Sequence, residues 1–284
     1  MHYVWGVPPS RPGGMPAARA LLEGQHADEL GYQELLVDKP PGAAFAYSGG
    51  GFITLELVLE ALLGAPVGRA ARGFLDACGA RADGFALDAC AAPTLDGAVA
   101  SGYYDDGALV RDGRLAFPPL AAGAHGTPAA LARVLWHLAR ARARADGSGP
   151  ISQRTARLML DGAQDLGAVD FMRAEVGLGV FVARAGPNRV MLHQAANDGF
   201  RGVYAVVFDG PDAAAGPVGF VLLANGDNRA MFMNCEIALA LLRRARVRGV
   251  DPARVAGVTF DANVAQEQIV NLGLKELVFA AFEQ

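Results

Sequence analysis

The chain is poor in lysine, in cysteine and in net positive charge. Lysine accounts for only two of its 25 lysines and arginines, and the formal net charge is −4. Proteins that bind nucleic acid usually carry a basic face, so we do not expect nucleic acid as a partner. The three cysteines lack a C-x-x-C spacing, which argues against a disulfide framework and a zinc site, and buried free thiols are expected at Cys78, Cys90 and Cys235.

Long apolar runs are missing as well. No run approaches the ~20 residues that a helix needs to cross a bilayer, and the first nine residues have neither the basic nor the apolar region of a signal peptide. The sequence therefore predicts a soluble protein, cytoplasmic in the form given. The five histidines show no metal-ligand spacing, so we expect neither a metal nor another cofactor.

Helical periodicity recurs along the chain. Apolar spacings of three and four predict helices over residues 17–22, 54–63, 66–78, 127–138, 152–160, 231–246 and 264–282. Thr127 and Ser152 are expected to cap the fourth and fifth of these helices. The helix after Thr54 is expected to be buried, because it carries the apolar residues Leu55, Val58, Leu59, Leu62 and Leu63.

A run of strands precedes the helix expected at 231–246. Short apolar or alternating runs at 176–183, 189–194, 202–208 and 218–224, separated by turn residues, predict an antiparallel meander that this helix covers. The expected class is α+β with three segments: a loop-rich and helical region (1–174), an antiparallel sheet with its covering helix (175–248) and a helical tail (249–284). The tail either packs on the body or mediates self-association.

Two segments carry residues suited to chemistry. Tyr47 and Ser48 precede three glycines, where a tyrosine on a tight turn can move a proton and the glycines let the backbone approach a ligand. The structural alternative is a tyrosine that packs before a helix. His193 would titrate near neutral pH on a strand facing a cleft, and the alternative there is a structural histidine.

Five blocks of residues follow one another in a fixed order. They are P-G-x-x-F-x-Y-S-G-x-G-F (41–52), A-A-G-x-x-x-T-P-x-x-L-A-R (121–133), G-L-G-x-F (177–181), H-x-x-x-N-x-G-F-R (193–201) and L-L-A-N-G-D (222–227). As a set they resemble the serine β-lactamase-related family, and more closely class C β-lactamases, D-peptidases and esterases of that fold. The resemblance covers roughly residues 1–246.

The resemblance implies a β-lactamase/transpeptidase-like fold and an acyl-enzyme mechanism on a small-molecule ester, amide or peptide. Tyr47 falls on the tyrosine that moves the nucleophile's proton. His193 begins the strand motif, where its charge or hydrogen bond would orient a substrate carboxylate or the tyrosine, and the Ala196 N–H would be an oxyanion donor. The substrate-binding residues implied by the resemblance are Ser48, Gly49, Gln194, Ala195, Ala196 and Asn197.

The chain departs from the family pattern at three points. Ala195 replaces the usual strand glycine, and Gly49 stands where asparagine is common. No serine has a lysine three residues later, because leucine lies three residues before Lys39 and Lys275. The Ser-x-x-Lys nucleophile helix and the strands that precede it in this family are therefore expected upstream of Met1.

Three hypotheses remain at this point. The chain is an amino-terminally truncated serine hydrolase, inactive in this form, which predicts an in-frame Ser-x-x-Lys upstream. Alternatively, it is a non-catalytic protein that keeps the fold as a ligand-binding or interaction module. A weaker third option is that Ser48, beside Tyr47, serves as a new nucleophile.

Overall fold

The computed structural model of the protein describes residues 6–32, 35–37, 39–43, 45–87, 99–144, 148–162, 174–251 and 282. The chain forms two compact units, which we call unit 1 (residues 1–102 and 109–130) and unit 2 (residues 103–108 and 131–284). The three-segment division expected from the sequence stays a prediction.

Unit 1 is mainly helical in its described part. Its elements are α1 (Ala18–Leu22), α2 (Ala27–Leu30), α3 (Gly49–Leu63), α4 (Val67–Ala70), α5 (Arg72–Ala77), β1 (Ala86–Leu87) and β2 (Ala124–His125). Strands β1 and β2 pair antiparallel. Leu21 of α1 packs with Tyr32 and with Ile53 of α3, and the Tyr32 hydroxyl donates a hydrogen bond of 3.0 Å to the Leu21 carbonyl oxygen.

Helix α3 begins five residues before the expected start at Thr54. The Ser48 hydroxyl accepts a hydrogen bond of 3.0 Å from the Gly51 N–H, which satisfies one of the free donors of the first turn. This cap offsets the poor helix propensity of the three glycines. Gly50 lies against Leu35, whose side chain would have to shift to make room for a Cβ that would otherwise be 2.8 Å from its methyl group.

The prediction that α3 is a buried helix is wrong. Its buried residues are Gly49, Gly50, Ile53 and Glu56. The expected core positions are exposed instead: Leu55, Val58, Leu59, Leu62 and Leu63. A helix that is apolar around most of its circumference gives a clear helical period, but the pattern does not reveal which side packs.

The helix expected over 66–78 is two short helices, α4 and α5. Ala71 lies between them with ψ of −15°, far from the helical value of about −42°. The Val67 N–H at the start of α4 donates a hydrogen bond of 3.0 Å to the Glu60 carboxylate of α3. Helix α5 ends at Ala77 and is capped by Cys78, whose thiol is buried and forms no disulfide.

Unit 2 contains a sheet between helices. Its elements are α6 (Pro128–Ala143, from Leu131 onward), α7 (Gln153–Leu160), β3 (Glu175–Val176), β4 (Phe181–Ala185), β5 (Asn188–Asn197), β6 (Phe200–Asp209), β7 (Val218–Ala224) and α8 (Asn228–Ala245). The five strands pair in sequence order and all neighbours are antiparallel. The expected α+β class and antiparallel meander are confirmed.

Both predicted helix caps in this region are confirmed. The Thr127 hydroxyl accepts the Ala130 N–H at 3.1 Å, and the Ser152 hydroxyl accepts the Thr155 N–H at 3.0 Å. One predicted strand, 176–183, is instead β3 and β4 joined by a turn. Gly179 supplies a positive φ of 76° in this turn, and Gly177 lets the Met159 carbonyl oxygen approach, since a Cβ there would lie 2.1 Å from it.

Helices cover both faces of the sheet. Residues of α6 and α7 form one core with the side chains of Val182, Met191, Val206 and Phe208. Side chains alternate along a strand, so Leu192, which follows Met191, faces the other side of the sheet. On that side α8 lies against β6 and β7.

The tail expected as a helix over 264–282 lies outside the described residues except for Phe282. Phe282 is buried and forms a β-bridge with Val250, so the predicted helix does not extend to this residue. In the part of the chain that the structure describes, no single helix is long and apolar enough to cross a membrane; α3 and residues Val67–Ala77 meet that test only as a pair bent by 66°.

A charged cluster ties α6, α7 and β5 together at the edge of the unit 2 core. Asp161 accepts hydrogen bonds from Arg142 at 2.6 Å and from Arg189 at 2.8 Å, and both guanidinium groups lie over the Phe208 ring. Burial alone would raise the pKa of Asp161, but the hydrogen bonds from the two arginines outweigh it and lower the pKa below 3.8.

We expect Asp161→Asn to lower the free energy of unfolding by about 1 kcal/mol at pH 7, a value reduced by solvent screening of this partly exposed group. Because the folded pKa of Asp161 is lowered, the difference should persist above pH 3.8 and vanish as the pH falls through the folded value. Urea unfolding at several pH values measures it. Asp76→Asn is the matched control, since its pair with Arg81 is exposed, and an equal loss there would contradict the assignment.

Candidate active site

The candidate residues of unit 2 lie on one continuous strand. β5 continues through Asn197, three residues beyond the predicted end at Gln194. Asn197 pairs with Phe200, so Asp198 and Gly199 form a two-residue turn, and Gly199 supplies the positive φ of 71° that this turn requires. His193 is therefore inside a strand.

The end of β5 extends beyond its neighbour on one side. The last pair with β4 joins Leu192 to Phe181, whereas β6 pairs with β5 through Asn197. Among the described residues, no strand pairs with the β4 side of residues 194–197. In an antiparallel strand alternate residues point their N–H and C=O to opposite sides, so this overhang presents backbone donors and acceptors away from β6.

His193 lies between two aromatic rings. Its ring centroid is 5.4 Å from that of Phe181 and 6.3 Å from that of Tyr204, its cross-strand partner. Burial lowers the pKa of His193 below 6.5, against a smaller opposing effect of a hydrogen bond to the Gln194 backbone. Burial therefore favours the neutral imidazole over the imidazolium.

The residues after His193 alternate between the two faces of the sheet. Ala195 and Asn197 share the His193 face, and Gln194 and Ala196 share the other. Ala195 and Ala196 are exposed. Ala195 pairs with Gly202 on β6, so a glycine stands opposite the alanine that replaces the family's glycine. The Gln194 amide oxygen is buried and has no hydrogen-bond partner in the described part of the chain.

An ion pair between Arg201 and Asp227 fixes the end of the β5–β6 hairpin. The two side chains are only 12% and 11% exposed. Arg201 also donates to the carbonyl oxygens of Asn197 and Phe200, and its own carbonyl oxygen accepts from the Asn234 amide at 3.3 Å. Arg201 is the last residue of the fourth sequence block and Asp227 the last of the fifth. Their positions in these blocks could have marked both residues as functional, but the sequence did not predict that they pair.

A second contact to the hairpin comes from the turn at residues 103–108, which lies outside the five sequence blocks. The Tyr104 N–H donates to the Ala108 carbonyl oxygen at 2.9 Å and closes the turn. Burial raises the pKa of Tyr104. The carboxylate of Asp198, which is hydrogen-bonded to Tyr104, raises it further. The Asp105 carboxylate accepts the Arg229 N–H at 2.9 Å at the start of α8.

The candidate residues of unit 1 surround the start of α3. Tyr47 is 40% exposed, and burial of its remaining surface raises the pKa of its phenol. The Ser48 hydroxyl caps α3, and Gly49 is the first helical residue. The structure thus keeps Tyr47, Ser48 and Gly49 together in unit 1 and residues 193–197 together in unit 2. In neither described part does a cluster of His, Cys, Asp or Glu suit a metal ion.

A model of the Beta-lactamase family matches residues 5–243. The chain therefore belongs to the Beta-lactamase family, and the resemblance inferred from the five sequence blocks is confirmed. No curated protein matches the chain in sequence.

Solved structures share the fold. D-amino acid amidase from Ochrobactrum anthropi SV3, complexed with L-phenylalanine amide, has 17% identity and a TM-score of 0.55 over 74% of this chain and 60% of its own. A penicillin binding protein from Bacillus halodurans has 18% identity and a TM-score of 0.52 over 75% and 61%. An octameric penicillin-binding protein homologue from Pyrococcus abyssi has 17% identity and a TM-score of 0.53 over 83% and 53%.

These similarities establish the β-lactamase/transpeptidase-like fold and nothing finer. The chain spans about three fifths of the length of the amidase and of the Bacillus protein.

We expect His193 to titrate below pH 6.5, because burial disfavours the imidazolium. Below pH 6.5 the unfolded chain binds a proton at His193 more readily than the folded chain does. The free energy of unfolding should therefore be unaffected by His193 above pH 6.5 and should fall as the pH is lowered toward the folded pKa. Imidazole nitrogen NMR measures the titration, with His193→Gln identifying the signal. The same variant should show a flatter fall of stability between pH 7 and 5. A His193 pKa at or above 6.5 would contradict the assignment of a half-buried imidazole whose neutral form is favoured.

Proposed function

We propose that this chain supplies the binding and proton-transfer part of a serine hydrolase that cleaves an ester or amide through an acyl-enzyme. The observation that carries the proposal is the overhang of β5, where no strand of the described residues pairs with the β4 side of residues 194–197. A substrate amide or ester can hydrogen-bond along such an edge. Amide substrates are supported by the fold similarity to an amidase.

The roles that we propose are those that the family resemblance implies for these residues, and the local environment bears on each. The Ala196 N–H donates to the oxyanion of the reacting carbonyl. His193 donates or accepts one hydrogen bond while neutral. Tyr47 moves the proton of the nucleophile. A phenol is already protonated at pH 7 at its ordinary pKa of about 10, and burial raises the pKa of Tyr47 further, so Tyr47 needs a nearby cation to act as a base.

Covalent catalysis by these 284 residues is not part of the proposal. None of the five serines is followed by lysine at the third position. Ser48 is already engaged as the cap of α3, which weighs against its use as a nucleophile. Without the nucleophile a hydrolase site of this kind retains only binding and oxyanion stabilisation.

A non-catalytic ligand-binding or interaction protein is the second candidate. The absence of a Ser-x-x-Lys pair favours it. The non-catalytic protein would need no nucleophile, whereas the hydrolase would. In both candidates the β5 overhang is the binding element. The predicted self-association through the carboxy-terminal residues stays a prediction, because residues 252–281 lie outside the described part; the octameric Pyrococcus abyssi homologue supports assembly in the family only.

The experiment combines covalent labelling with ligand binding. Incubation with a fluorophosphonate and with benzylpenicillin should give no mass adduct, because no activated serine is present. L-phenylalanine amide at millimolar concentration should shift the backbone NMR signals of residues 194–197. Ala195→Trp should abolish these shifts by filling the exposed face of the strand end. Ala215→Trp should preserve them, because Ala215 is exposed in the β6–β7 connection, at the other end of β6 from the β5–β6 turn.

Two results would decide against the proposal. An adduct that disappears in Ser48→Ala would establish Ser48 as a nucleophile and contradict our proposal. Absence of both adduct and NMR shifts would remove the substrate-binding role and leave an interaction protein.

A further inference from the structure

The connection between β7 and α8 contains an asparagine that is directly followed by a glycine. Asn225 and Gly226 lie after the end of β7 at Ala224 and before the start of α8 at Asn228, so they belong to neither element. The Asn225 side chain is exposed to solvent. Both residues belong to the fifth sequence block, L-L-A-N-G-D, and the proposed function assigns neither of them a role.

The residue that follows an asparagine decides how readily the asparagine side chain reacts with the main chain. The reaction joins the main-chain nitrogen of the following residue to the side-chain carbon Cγ, and a Cβ on that residue crowds the approach. Glycine has no Cβ and allows the approach. Of the seven asparagines in the sequence, Asn225 alone is followed by glycine. The residues that follow the other six are Arg189, Asp198, Arg229, Cys235, Val264 and Leu272.

The fold restrains the other described asparagines more tightly than Asn225. Asn188 and Asn234 are buried, with exposed fractions of 1% and 3%, and Asn197 and Asn228 belong to β5 and α8. Hydrogen bonds fix the main chain of a strand or a helix, which hinders the rotation that the reaction requires. Among the described asparagines, Asn225 alone is both exposed and outside the strands and helices.

We infer that Asn225 is a site of spontaneous deamidation, for which solvent water is the only co-reactant. The Gly226 N–H loses its proton to hydroxide, the nitrogen bonds to Cγ of Asn225, and the Cγ–Nδ2 bond breaks as ammonia leaves with a proton from water. Water then opens the cyclic imide at either carbonyl carbon. Opening at Cγ gives aspartate, and opening at the main-chain carbon gives isoaspartate, whose main chain runs through Cβ and Cγ. The net reaction consumes one water and releases one ammonia, and nothing is oxidised or reduced.

Isoaspartate at position 225 disturbs the ion pair between Arg201 and Asp227. It adds one carbon to the main chain directly before Gly226. The main chain packs closely on the first turn of α8 there, because a Cβ on Gly226 would lie 2.9 Å from that of Ala230. Asp227 comes next and is 11% exposed in its pair with Arg201, so the added carbon displaces the carboxylate from its partner. The inference does not depend on the proposed function, since no substrate takes part.

Incubation of the full chain at pH 8 and 37 °C, followed by tryptic peptide mapping with fragment mass spectra, tests the inference. The incubation lasts until half of Asn225 has reacted in a reference sample unfolded in guanidinium chloride. In the folded chain we expect aspartate and isoaspartate at position 225 to form about tenfold or more faster than at Asn197 or Asn228, because only Asn225 precedes a residue without a Cβ. The rate should rise with pH, since the Gly226 N–H must lose its proton. Asn225→Gln is the matched control, because it keeps the amide but closes the larger ring far more slowly.

Urea unfolding of the same samples tests the effect on the ion pair. The incubated wild type should have a lower urea midpoint than the fresh protein, whereas Asn225→Gln should keep its midpoint. Asn225→Asp adds the charge without the extra carbon, so its midpoint should lie closer to that of the fresh wild type.

Two results would overturn the inference that Asn225 is a deamidation site. One is an Asn225 that keeps its amide in the folded chain over this period, because the fold would then protect it. The other is reaction at Asn197 or Asn228 at an equal rate. An unchanged urea midpoint in chains that carry isoaspartate would overturn the proposed displacement of Asp227.

Discussion

The ion pair between Arg201 and Asp227 is the contact on which the candidate site of unit 2 depends. Both side chains are almost fully removed from solvent, so each charge has lost most of its hydration and is stabilised by the other. The same guanidinium group binds the carbonyl oxygens of Asn197 and Phe200. One side chain therefore fixes the β5–β6 turn and joins it to the start of α8.

This arrangement explains how a strand overhang can serve as a binding surface. Residues 194–197 lack a described strand on their β4 side, and a strand end held by a two-residue turn alone would fray. The ion pair, together with the contacts of Tyr104 and Asp105 from the 103–108 turn, holds it on the other side. A site built on an immobilised strand end positions its hydrogen-bonding groups without further ordering on binding.

The sequence was sufficient where the determining interaction is local. The caps at Thr127 and Ser152 involve residues three positions apart, and the meander follows from alternating runs and turn residues. These local signals, together with the ordered blocks, predicted the fold class and the family. His193 and Tyr47 could be named as candidates because they belong to those blocks.

Interactions between distant residues could not be read in the same way. Nothing local in α3 tells which side is buried, since that is decided by Leu21, Tyr32 and Leu35 elsewhere in the chain. The charge state of His193 depends on Phe181 and Tyr204 of neighbouring strands. Arg201 and Asp227 are 26 residues apart, and each alone is an ordinary charged residue, the first at the start of β6 and the second just before α8.

A double-mutant cycle of Arg201→Gln and Asp227→Asn, measured by urea unfolding at pH 7, tests the central role of this ion pair most directly. Each single change leaves a buried charge without its partner and should cost about 3 kcal/mol. The double variant should cost less than the two single variants together, by at least about 1 kcal/mol. Additive losses within about 0.5 kcal/mol would contradict the account, because the two residues would then stabilise the hairpin independently.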